Sequence, residues 1–267
     1  MDLIKVTDFP SFTRSGARGR KLLGLDDNPV WVEGKQDVDF YSRIFDGRKF
    51  SVGDGKKEVI IIGSKPPYPD CIVDHDFDNF LDVKPRQREN IFTTKYLNDL
   101  ESIWIYILNN DNFLESNFGI EVTKRAYENS SLVGKLRIIS HQKSDSGKNK
   151  SWRMIFKDNI ELTKMLLSDS WRHPLDYLIN HNSKKMKSKE QWLRKIRVLN
   201  KDLPPEKLHF VCGKDLILYL YLELNRNHSR HDFINFNRKL LIEAAKKINN
   251  NPNIIEDFEF SKLIYSR

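Results

Sequence analysis

The sequence predicts an α/β fold, in which a mostly parallel sheet flanked by helices is followed by a mainly helical region. Three observations predict it. Short continuous apolar runs stop abruptly at Gly or Asp, as strands buried on both faces do. Around them, apolar residues recur at helical spacing. The charge also divides the chain: residues 1–110 hold 16 Lys+Arg against 18 Asp+Glu, whereas 111–267 hold 29 against 19.

The elements follow in order. Residues 1–28 are polar and irregular, with Arg14, Arg18, Arg20 and Lys21 clustered. A first strand is predicted over 29–33, closed by Gly34. Residues 36–45 place Val38, Tyr41, Ile44 and Phe45 on one side of a helix, with Asp37 in its first turn. A second strand is predicted over 58–62, closed by Gly63. The segment 64–70 carries Pro66, Pro67 and Pro69 and cannot be helical. A third strand, 71–73, runs straight into Asp74. Residues 79–89 read as a polar loop and 90–93 as a fourth strand. A strong helix is predicted over 97–108, with Leu97, Leu100, Trp104, Ile107 and Leu108 together. Further helices are predicted over 159–168, 188–200, 214–225 and 232–249, with a short strand over 207–212.

Composition narrows the functional classes. The chain of 267 residues is 39% hydrophobic and 31% charged, and its 16 Phe, 9 Tyr and 5 Trp supply a core. It is therefore globular, not disordered. The longest purely aliphatic run, 59–62, is far short of the ~20 residues a membrane helix needs. Met1-Asp2-Leu3-Ile4-Lys5 lacks the charged-then-apolar plan of a signal peptide. Two cysteines, Cys71 and Cys212, form no CxxC pair, so a reducing, cytoplasmic setting is expected. The net charge of +8, concentrated in the back half, is equally compatible with a polyanionic partner and with a solvated lysine-rich surface.

Carboxylates gather at the predicted strand ends. Glu33 closes the first strand, Asp74 and Asp76 follow the third, and Asp78 comes next. Residues two apart in an extended segment point the same way, so Asp74 and Asp76 can present two carboxylates to one point. On a parallel sheet Glu33 opens onto the same edge. Three converging carboxylates repel unless a cation neutralises them, and hard oxygen ligands suit Mg²⁺ or Mn²⁺. Such an ion is suited to phosphodiester chemistry. A lone DxD is more often structural than metal-binding; its conjunction with a strand-terminal Glu is the more specific signal.

These residues resemble a known family. Val32-Glu33-Gly34-Lys35, followed by Asp37, Phe40 and Tyr41, resembles the first motif of the Toprim fold. Asp74-His75-Asp76 with Phe77-Asp78 resembles its DxD motif. Thr93 to Glu101, reading Thr-Thr-Lys-Tyr-Leu-Asn-Asp-Leu-Glu, resembles a segment of the Toprim nucleases related to the OLD family. That branch includes the nuclease subunit of the PARIS anti-phage system. The resemblance spans about residues 29–105, and Gly213-Lys214-Asp215-Leu216 is similar to a late family motif. A Toprim sheet carries a crossover helix between its second and third strands. The seven residues 64–70 are too few for a parallel crossover. Either that helix is lost or one predicted strand runs differently.

The resemblance implies a basic segment over 1–28, a Toprim-like catalytic domain over 29–110 and a helical basic domain over 111–267. It implies that Glu33 is a metal ligand or general acid/base, that Asp74 and Asp76 hold Mg²⁺, and that Asp78 is an outer ligand. Asp99 and Glu101 either complete a second metal position or are helix-start carboxylates favoured by the macrodipole. His75, between the two aspartates, should point away from them. Lys35, Lys148, Arg194, Lys195, Arg197 and Lys214 are the candidates for meeting nucleic acid. The bland alternative keeps Trp192 in the core and the neighbouring lysines in water. Neither Gly53-Asp54-Gly55-Lys56 nor Ser146-Gly147-Lys148-Asn149 has the GxxxxGK[ST] frame, so ATP hydrolysis is not expected of this chain. The resemblance instead implies a separate OLD- or ABC-type ATPase partner; a homodimer is a further option. The implied activity is an endonuclease acting on tRNA or DNA in anti-phage defence. The rival is a non-catalytic regulatory or assembly subunit.

Overall fold

The computed structural model describes residues 28–75, 89–94, 97–110, 112–141, 175–176, 188–201, 211–224, 230–256 and 258–265. The helix expected over 159–168 lies outside them. So does the strand expected over 207–212, except Val211 and Cys212, which are not in strand. The chain forms two compact units. One comprises Met1–His75, Lys84–Lys95 and Ala245–Arg267; the other comprises Asp76–Val83 and Tyr96–Ala244. A break at residue 110 is not where this division falls. The sheet unit takes in the last stretch of chain, and the helix that begins at Leu100 belongs to the other unit.

The first unit is built on four strands, β1 (Val30–Val32), β2 (Phe50–Val52), β3 (Cys71–Val73) and β4 (Ile91–Thr93). They lie in the order β2-β1-β3-β4. All three pairings are parallel, with Val30 opposite Phe50, Trp31 opposite Cys71, and Cys71 opposite Ile91. The carboxyl ends of all four strands therefore share one edge, where Glu33, Gly53, Asp74 and Thr94 follow them. Helix α1 (Lys35–Ile44) connects β1 to β2. Its Asp37 carboxylate accepts the Gly34 N–H at 3.0 Å and tightens the first turn.

The strand expected over 58–62 is a helix, α2 (Lys56–Gly63). Glu58-Val59-Ile60-Ile61-Ile62 has strand propensity, but parallel β2 and β3 must be joined by a crossover, and tertiary packing overrides propensity. The missing crossover helix is thus supplied by the residues read as a strand, and the short 64–70 link only closes it. Glycines allow the fit. A Cβ on Gly53 would stand 2.6 Å from Val59 Cγ2, and one on Gly63 would stand 2.7 Å from Cys71 Sγ. Val59, Cys71 and Val73 form the core beneath α2, with Trp31, Ile60 and Ile91 against it. Burial pushes the Cys71 thiol from its usual 9.0 up to about 12, and the Asp70 carboxylate adds to the rise.

The end of the chain completes this unit. Phe260 packs edge-on to Tyr41 and Phe45 and stacks on Phe258. Phe50 stacks on Tyr41. Glu259 Oε2 accepts the Thr93 N–H at 3.1 Å and its hydroxyl at 3.2 Å, so a side chain occupies a backbone donor of edge strand β4. A short helix, Lys262–Tyr265, follows.

The second unit is helical where described: α3 (Leu100–Asn109), α4 (Phe113–Phe118), α5 (Ile120–His141), α6 (Lys189–Lys201), α7 (Gly213–Leu224) and α8 (Arg230–Asn250), whose last turns belong to the first unit. Helix α7 packs on α5 and α3. Helix α3 is buried along nearly all its length, with Ile103, Trp104, Ile105, Ile107 and Leu108 inaccessible. Among the described residues, no helix is long and apolar enough to cross a membrane.

Candidate active site

The parallel sheet brings Glu33 and Asp74 to one edge. The Asp74 N–H donates to Glu33 Oε1 at 2.7 Å, a short charge-assisted bond. Glu33 is partly exposed and Asp74 is buried. The bond neutralises part of the carboxylate's cost at the edge and fixes its direction.

Side chains prolong the ladder beyond the end of β3. The His75 N–H donates to Thr94 Oγ1 at 3.0 Å. The His75 carbonyl accepts from Lys56 Nζ at 3.2 Å. His75 is 5% exposed, and its backbone is held from both sides. The loop after β2 runs alongside: Gly53 N–H donates to the Val32 carbonyl and Gly55 N–H to the Glu33 carbonyl, both at 2.9 Å. Gly55 sits at φ +104°, which only glycine takes without strain.

Lys35 opens α1 and is exposed. Asp76, Asp78 and Lys148 lie outside the described residues. Among the described residues, no three His, Cys, Asp or Glu side chains gather as a metal-holding group. Glu33 and Asp74 supply two hard-oxygen carboxylates, the donor class that Mg²⁺ or Mn²⁺ takes.

Asp99 and Glu101 belong to the second unit. Asp99 is 2% exposed and N-caps α3. Its Oδ1 accepts from Ser102 N–H at 2.9 Å, from the Ser102 hydroxyl and from Gly213 N–H at 2.8 Å. Its Oδ2 accepts from the Cys212 thiol at 2.9 Å and from Lys214 N–H at 3.3 Å. Five donors engage the four lone-pair sites of a carboxylate, so this group joins the starts of α3 and α7. Gly213 is where they touch: a Cβ there would stand 2.1 Å from Ser102 N. Glu101 is 2% exposed, and its Oε2 lies 3.8 Å from Lys214 Nζ. Lys214 is thus an ion-pair partner within its own unit.

Helix α6 turns Trp192, Ile196 and Leu199 inward and leaves Arg194, Lys195 and Arg197 exposed. Trp192 is a core residue, and the three cations form one solvent face.

Sequence reasoning missed Lys56 and Thr94. The Gly-Asp-Gly-Lys stretch was the available signal, since two glycines before a lysine mark a tight turn into a helix. Comparison of the chain with protein-family models, with curated proteins and with solved structures gave no match in any of the three.

Proposed function

We propose that the chain is a Mg²⁺- or Mn²⁺-dependent endonuclease of the Toprim type, cutting phosphodiester bonds in DNA or tRNA. One observation carries the reading: Glu33, at the end of β1, and Asp74, at the end of β3, meet on the carboxyl edge of a parallel sheet, with Glu33 Oε1 2.7 Å from the Asp74 backbone N. Ligand chemistry in open parallel sheets gathers at that edge. The crossover helix α2 also supports the Toprim resemblance, because it stands where that resemblance requires one.

Glu33 and Asp74, with Asp76 and Asp78, would hold the ion. When bound, it polarises the phosphoryl group and stabilises the attacking and leaving oxygens. Glu33 keeps its carboxylate aimed at the edge through the Asp74 amide. Its carboxylate would then take the proton of an attacking water. Lys35 stands beside Glu33 in sequence to meet a phosphate. Arg194, Lys195 and Arg197, on a back half of net charge +10, supply salt-dependent contacts to the nucleic-acid backbone. The implied setting is cytoplasmic anti-phage defence, with an OLD- or ABC-type ATPase partner restraining a toxic effector.

The test is cleavage of tRNA and DNA by the purified chain with Mg²⁺ or Mn²⁺, beside E33A and D74A. Loss of cleavage in both variants, with folding retained, is the expected result. Equal activity in all three proteins removes the assignment. Inactivity of the wild type on every substrate, with its ATPase partner present, favours a regulatory Toprim-like subunit.

A further inference from the structure

The loop between β2 and α2 does more than turn the chain. Asp54 at φ +56° and Gly55 at φ +104° double the backbone back, so that Gly53 and Gly55 bond along β1 past its last ladder residue. Lys56 leaves this anchored loop as the first residue of α2. Its ammonium reaches the His75 carbonyl at 3.2 Å. Three backbone polar groups beyond β3 are thus each held from a different part of the fold: Asp74 N–H by Glu33, His75 N–H by Thr94 and His75 C=O by Lys56.

We propose that Lys56 is a positioning residue of the candidate active site: its ammonium fixes the His75 carbonyl and so holds the end of β3 in register with Glu33. Thr94 holds the peptide group on the amino side of His75 through its N–H, and Lys56 holds the one on the carboxyl side through its carbonyl. The ammonium closes the second side with a charge-assisted bond, so the Asp74 amide stays under Glu33 Oε1. Lys56 touches no reacting atom in this role. Its consequence for metal use rests on the endonuclease reading; its consequence for backbone order does not.

Amide hydrogen exchange at Asp74 and His75 in the full chain tests it, with K56M and K56Q as losses and K56R as the conservative rescue. Exchange at these two amides should quicken about tenfold in K56M and K56Q and stay near wild type in K56R, with Ile103–Leu108 unchanged. In cleavage assays the Mg²⁺ concentration for half-maximal rate should rise about fivefold in K56M, with the saturated rate within about twofold of wild type. Unchanged exchange at Asp74 and His75 overturns the proposal. So does equal acceleration throughout the chain, or failure of both loss variants to fold, since Lys56 is then a general stability residue. A wild type without cleavage removes the endonuclease reading and leaves the exchange result to decide the role of Lys56.

Discussion

The Glu33 edge and the Asp99 junction are the same motif put to different ends. Each is an acidic residue at an element terminus that accepts backbone N–H groups. At the junction five donors from two helix starts close on one buried carboxylate. At the edge a partly exposed carboxylate takes the Asp74 amide through Oε1. Asp99 is buried where two helix starts meet, whereas Glu33 keeps part of its surface in solvent at a sheet edge.

Several variants sharpen or break that contrast. E33Q keeps an oxygen for the Asp74 amide but removes the charge. Cleavage should fall ~10²–10³-fold, while urea unfolding shifts by less than about 1 kcal/mol. If activity instead falls only in step with folded protein, Glu33 belongs with Asp99. G213A drives a Cβ into the start of α3 and should cost about 3 kcal/mol or more in chemical denaturation; a wild-type midpoint removes the account of the junction. D99N replaces one acceptor oxygen with a donor that faces other donors. A loss of about 2 kcal/mol is expected, with the Mg²⁺ dependence of cleavage unmoved. A raised Mg²⁺ requirement would return Asp99 to a metal-binding role.

The smallest effect is a pH slope. The Cys71 thiol is raised in the folded state from 9.0 to about 12, so the unfolded chain releases its proton first. Its contribution to stability is complete below pH 9.0 and is lost as pH rises toward 12, at no more than about 1.4 kcal/mol per pH unit. C71A should flatten that slope in urea unfolding measured across the alkaline range. A slope unchanged by C71A assigns the alkaline loss to other groups.

Much of the sheet unit was legible. The apolar runs at β1, β3 and β4 and the turn into α1 carried their own stops, and Glu33 and Asp74 followed from strand ends. What misled was Glu58-Val59-Ile60-Ile61-Ile62, whose β-branched run outweighed Phe50-Ser51-Val52, the true second strand. The need for a crossover decides between them, and that is a property of three strands together. Helix α5 escaped because its buried face sets Thr123 and Ser130 beside Ala126 and Val133 while Ile120 is exposed, which blurs the apolar spacing. The close approach at Gly213, the reach of Lys56 to His75 and the return of Phe260 to Tyr41 join residues far apart in sequence, and no local pattern encodes them. The Asp99-Leu100-Glu101 stretch was read with both alternatives open; its partner groups at 212–214 favour the cap for Asp99.

The return of Phe258 and Phe260 to the sheet unit has a consequence for synthesis. Tyr41, Phe45 and Phe50 are translated early, yet the rings that cover them emerge more than two hundred residues later. Until then the growing polypeptide carries an exposed aromatic face and an incomplete scaffold beneath Glu33 and Asp74. Vectorial folding therefore cannot finish this half of the protein before Phe258 and Phe260 have left the ribosome.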